Sequence, residues 1–112
     1  MGRRVIWAYA AEADLDAAAE YIHRDSPAYA AAFVLLALEA GRSLTDFAER
    51  GRIIPEFKDR KIREIFVQSY RLIYLVENNR VSIVALIHGR RDLRTAWDER
   101  ERELTPHENR NH

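Results

Sequence analysis

The stretch from residue 62 to residue 88 most limits what this chain can fold into. Ile62 to Val67, Tyr70 to Val76 and Val81 to Ile87 are three runs of strand-type residues, split by Gln68-Ser69 and by Glu77-Asn78-Asn79-Arg80. Asn tolerates positive φ, so Asn78-Asn79 suits a tight hairpin turn. Consecutive β-runs joined by such short links predict an antiparallel meander. In the middle run Leu72, Tyr74 and Val76 alternate with Arg71, Ile73 and Leu75, so both faces are largely apolar. A strand of that kind sits in the middle of a sheet.

The segments around the meander have different periods. Val5-Ile6-Trp7-Ala8-Tyr9 is too short for a helix and reads as a first strand. From Ala11, apolar Leu15, Ala18, Ala19 and Ile22 recur at helical spacing, with Glu12, Asp16, Glu20 and His23 largely opposite, which predicts an amphipathic helix ending near Arg24. Ser26-Pro27 then supplies a capping oxygen and a proline at the first helical position. The second helix continues the apolar stripe through Phe33, Leu38, Leu44 and Ala48, and the short link makes the pair an antiparallel hairpin. Gly51 to Lys61 has no clear period and reads as a loop. After His88-Gly89, the Glu/Arg-rich stretch to Leu104 predicts a short terminal helix stopped by Pro106. The expected architecture is α+β, one domain over residues 1–104, with 105–112 as a disordered tail.

Charge is unevenly spread. The net formal charge is zero, yet residues 1–49 sum to −4, residues 50–94 to +6 and the remainder to −2. A basic middle segment suggests a surface that meets an anion; a solvated arginine-rich face is the plainer alternative. The longest apolar stretch, Ala30 to Leu38, falls far short of the roughly 20 residues needed to cross a bilayer. No secretory segment is evident, and the absence of cysteine agrees with a reducing compartment, so the cytoplasm is the expected location. The four histidines lack metal-ligand spacing, and no cofactor is expected.

A set of local strings narrows the function. These are Asp14-Leu15, Tyr21-Ile22, Ser26-Pro27, Gly51-Arg52 with Pro55-Glu56, Arg63-Glu64, Tyr70-Arg71-Leu72-Ile73-Tyr74 and His88-Gly89-Arg90-Arg91-Asp92. In that order and spacing, over roughly residues 4 to 94, they resemble the RelE/ParE superfamily of bacterial type II toxins. The resemblance implies a toxin that arrests growth and is neutralised by a cognate antitoxin in a hetero-oligomer.

Members resembling RelE cut messenger RNA on the ribosome without a metal, which requires groups that exchange protons and arginines that face the phosphate. Arg71 and Arg91 stand where such enzymes keep arginine, and are the catalytic candidates if the chain is of that kind. Glu64 and Ile62, however, stand where lysines are expected, and Trp97 stands where a late tyrosine is usual. These losses favour the ParE side, the plasmid stabilisation toxins, which act by trapping DNA gyrase and are not nucleases. The alternatives are a RelE-like endoribonuclease with the ribosome and messenger RNA as partners, or a repurposed member that only binds.

On the ParE-like reading the working surface is Arg63, Glu64, Arg71, His88, Arg90, Arg91 and Trp97. The antitoxin is expected to clamp the toxin in two parts. An apolar part would run along the helices over Leu15, Ile22, Phe33 and Leu38, and an acidic part would cover Arg71, Arg90 and Arg91. The structural alternatives are that Tyr70 and Tyr74 are core residues, that Arg71 pairs with Glu64 across the sheet, and that His88 is a hydrogen-bonded structural histidine.

Overall fold

In the computed structural model, which describes residues 2–104, the chain forms β1 (Arg4–Trp7), α1 (Tyr9–His23), α2 (Pro27–Ser43), β2 (Arg52–Ile53), β3 (Ile62–Val67), β4 (Tyr70–Val76), β5 (Arg80–His88) and α3 (Leu93–Leu104). The expected tail lies outside the described residues. The strands form one sheet in the order β1-β5-β4-β3-β2, with the doubly apolar β4 at its centre. β3, β4 and β5 form the antiparallel meander, whereas β1 joins β5 in parallel.

The helical hairpin covers one face of the sheet. Ser26 Oγ accepts the Tyr29 N–H at 3.1 Å and Pro27 begins α2, as that dipeptide predicts. Leu15 and Ala18 of α1 and Phe33 and Ala37 of α2 pack on Val67, Leu72, Tyr74, Val81, Ile83 and Leu86. On the other face α3 and the 51–61 loop lay Leu93, Ala96 and Ile54 over Ile73, Ala85 and Ile87.

α2 ends at Ser43, short of the expected Ala48, because the chain turns at Leu44 with its N–H bonded to Gly41 O and Arg42 O. Leu44 and Ala48 remain buried, so the apolar stripe outlasts the helix. The loop after it contains the two-residue β2, which pairs with Arg63 and Glu64.

A register shift between Ile73 and Tyr74 leaves Val84 without an opposite residue on β4. Such a bulge changes the phase of a strand. Before it, Val81 and Ile83 face the hairpin; after it Leu86 faces the hairpin, while Ala85 and Ile87 turn to α3.

Candidate functional site

The string Arg63-Glu64 lies on β3 and Arg71 on β4, and the structure turns two of these three charges inward. The Glu64 carboxylate is fully buried, with Oε1 2.5 Å from Arg71 Nε and Oε2 2.6 Å from Arg52 Nε. Arg52 is directly opposite Glu64 across β2–β3, while Arg71 is its diagonal neighbour across β3–β4. Glu56 adds a longer contact to Arg71 at 3.8 Å. Burial alone would push the Glu64 carboxyl up, but the hydrogen bonds and charges of Arg71 and Arg52 outweigh it and hold the group below the ordinary carboxylate value.

Arg63 also serves the backbone. Its Nη1 donates to Gly51 O at 2.9 Å and to Glu49 O at 3.4 Å, while its buried Nε has no partner among the described residues. Beside it the fully buried Tyr74 hydroxyl donates to Ala48 O at 2.8 Å and accepts the Gly51 N–H at 2.9 Å. A side chain at Gly51 would lie 2.4 Å from that hydroxyl, so glycine is required by close approach. Burial raises the Tyr74 hydroxyl pKa, against the lowering effect of the Gly51 hydrogen bond and the nearby arginines.

The second string sits where β5 runs into α3. His88 packs edge-on against Tyr70, with ring centroids 5.1 Å apart, and its Nδ1 accepts the Arg90 N–H at 3.1 Å. Arg90 and Arg91 are exposed, and Arg91 forms an ion pair with Glu99 of α3. Trp97 is half-buried against Phe57, 5.0 Å between centroids.

The sequence-predicted surface therefore separates into layers. Arg90 and Arg91 lie on the outside, His88 and Trp97 are half-buried in packing, and Glu64 and Arg71 are interior. The charges of Glu64 and Arg71 meet each other and Arg52 beneath the surface. Arg71 is 7% exposed. Of the residues expected to meet the antitoxin, Leu15 and Phe33 belong to the core between hairpin and sheet, and Ile22 and Leu38 are half-buried beside it.

Sequence reasoning missed two features. Arg100 of α3 donates to both oxygens of Asp14 on α1 at 2.8 and 2.9 Å and to Val84 O at 2.5 Å, while Asp14 accepts the Leu86 N–H at 2.9 Å. Asp14 stands in one of the quoted strings, but the two residues are 86 positions apart and nothing local signals the pairing. The other is a cleft of about 250 Å³ at the hairpin tip, lined by Tyr21, Tyr29, Phe33, Tyr70 and His88. Its signal was the aromatic content of the two helix ends.

A helical hairpin, a central sheet and a closing helix, with two exposed arginines at the β5–α3 junction, make a small α+β domain. A family model for the ParE toxin of the type II toxin–antitoxin system parDE matches residues 5–93. The Toxin RelE2 of Caulobacter vibrioides is 35% identical over 89 residues, which cover 79% of this chain and 97% of that protein. The chromosomal ParDE TA system from P. aeruginosa contains a chain of the same fold, with TM-score 0.64 and 21% identity over 77% of this chain and 95% of that one. The chain belongs to the ParE toxin family of type II toxin–antitoxin systems, within the RelE/ParE superfamily.

Proposed function

We propose that this toxin arrests growth by a ParE-like action on DNA gyrase, without cutting RNA, and that a cognate antitoxin neutralises it. The buried Glu64–Arg71 pair is the observation that carries this reading. A metal-free nuclease needs a guanidinium free to face a crowded phosphate and a neighbouring group that can exchange a proton. Here the Arg71 guanidinium is neutralised beneath the surface, the carboxylate beside it would repel a phosphate, and Trp97 offers an indole that cannot act as an acid. The exposed Arg90 and Arg91 remain suited to binding a protein or a protein–DNA complex.

Among the described residues, no helix is long and apolar enough to cross a membrane. Two assays on purified protein test the proposal. Added to a cell-free translation extract, it should leave messages intact by primer extension; added to gyrase and supercoiled plasmid, it should produce gyrase-dependent breaks. New codon-specific RNA ends with unaffected gyrase would replace this reading with the endoribonuclease. Silence in both assays would leave a member that only binds a partner.

A further inference from the structure

The hollows of this molecule mostly hold arginine. The depression beside β1 has Arg3, Arg4 and Arg42, the one at the Asn78-Asn79 turn has Arg4 and Arg80, the one beside Phe66 has Arg50 and the one beside Asp14 has Arg91. The cleft at the hairpin tip differs, because no arginine, lysine or carboxylate lines it. Its histidine, His88, accepts an N–H at Nδ1, the arrangement of a neutral imidazole.

The inner part of the cleft is a run of packed rings, with Phe33 5.0 Å from Tyr70 and Tyr70 5.1 Å from His88 between centroids. Tyr21, near the end of α1, and Tyr29, in the first turn of α2, are its outer members. They are 62% and 73% exposed, so two large aromatic side chains stand in water beside an aromatic cluster. The Gln68-Ser69 turn between β3 and β4 closes the remaining side and is tied to Gly89, whose N–H meets Ser69 O at 2.7 Å.

The face of a phenol ring is electron-rich and attracts a cation placed over it. Tyr21 already holds one of the protein's own: the Arg24 guanidinium lies 5.9 Å from its ring centroid, although Arg24 does not line the cleft. The hydroxyls of Tyr21, Tyr29 and Tyr70 and the side chain of Gln68 have no hydrogen-bond partner among the described residues. The acids of the hairpin tip, Glu20 and Asp25, are exposed and take part in none of the ion pairs formed by the described residues. A ring cluster, free hydroxyl acceptors and nearby unpaired carboxylates all favour a positively charged occupant.

We propose that the hairpin-tip cleft receives an arginine side chain of a protein partner, its guanidinium set among the rings of Tyr21, Tyr29 and Tyr70 and donating to their hydroxyls and to the Gln68 carbonyl oxygen. Guanidinium suits the cleft better than ammonium, being planar, weakly hydrated and able to stack on a ring while its edge donates hydrogen bonds. A free cation would leave the outer tyrosines wet, whereas a side chain carried by a docked surface covers them. A nucleotide base would also stack, but it brings a phosphate to a tip that carries Glu20 and Asp25. The inference requires neither gyrase as the target nor the absence of RNA cleavage.

The test titrates the isotope-labelled full chain with acetyl-Gly-Arg-Gly-amide and with its lysine and citrulline counterparts, followed by amide and ring-proton NMR shifts. The arginine peptide should move the signals of Tyr29, Gln68, Ser69 and Tyr70 saturably, and the lysine peptide should bind several-fold more weakly. Citrulline keeps the planar end group without its charge and should bind at least about tenfold more weakly. Tyr29→Leu keeps an apolar side chain but removes the ring, and should weaken arginine binding about fivefold with the melting temperature unchanged, because the side chain is exposed. Tyr29→Phe should retain most of the affinity. The proposal is overturned by an absence of shifts at the cleft, by citrulline binding as tightly as arginine, or by full affinity in Tyr29→Leu. Adenosine monophosphate binding at these residues more tightly than the arginine peptide overturns it as well. None of these readouts involves gyrase or RNA, so the target and the cleft succeed or fail separately.

Discussion

At the scale of single residues the molecule is organised by polar groups placed where water is absent. Glu64→Ala would strand the Arg71 guanidinium in the interior, and breaking a buried pair of this kind costs about 3–5 kcal/mol. Replacing both partners with apolar residues, Glu64→Leu with Arg71→Met, should recover most of that loss in urea melts, because no buried charge is then left alone. If the double variant folds and still arrests growth on induction, Arg71 is structural; a folded but inert double variant would return it to the working surface. Tyr74→Phe removes one acceptor and one donor and leaves the Gly51 N–H and Ala48 carbonyl unsatisfied, an expected loss of about 1–3 kcal/mol by denaturant titration. Arg91 is different, its exposed guanidinium being ion-paired, among the described residues, with Glu99. Arg91→Ala should reduce growth arrest with little change in melting temperature, Arg91→Lys should be intermediate, and full toxicity of a soluble Arg91→Ala protein would remove Arg91 from the working surface.

At the scale of elements, α3 is held to the body by Leu93, Ala96 and Trp97 and by the reach of Arg100 to Asp14 and Val84. Asp14→Ala deprives both Arg100 and the Leu86 N–H of an acceptor. Amides of α3 and the outer half of β5 should then exchange faster, with the β3–β4 hairpin unaffected; uniform acceleration across the sheet would mean the clamp stabilises the whole fold. The meander was legible because β4 is apolar on both alternating sets, and the hairpin because Leu15 to Ile22 and Ala30 to Leu38 keep helical spacing above a clear Ser26-Pro27 start. The bulge was not legible, since Val84-Ala85-Leu86-Ile87 is apolar throughout and shows no alternation from which a phase change could be read. The partner of β1 was equally hidden, because parallel pairing links residues 4 and 80 with no turn between them to betray it. Segment charges misled in both directions. Arg63 and Arg71 counted toward a basic surface but serve the interior, while Arg3, Arg4 and Arg42 disappeared into a segment of net −4.

For the whole molecule, these groups set the pH range of stability. The lowered native pKa of Glu64 means its contribution is complete above its unfolded value of roughly 4.3 and is lost as pH falls through the native one. Tyr70 and Tyr74 work oppositely: burial raises both hydroxyls, so their contribution holds below about pH 10 and is lost as pH rises through the native values. Melting temperature against pH should therefore fall at both ends, and the Glu64→Leu, Arg71→Met pair should flatten the acid limb only. An unchanged acid limb would assign that loss to other carboxylates. The parallel pairing of β1 with β5 also bears on synthesis. β1 leaves the ribosome well before its partner, and at about 5–20 residues per second the intervening chain takes on the order of 4–15 s to make. Throughout that interval the N-terminal strand is available to any other chain that offers an edge, so a partner already present in the cell can meet the toxin before its sheet has closed.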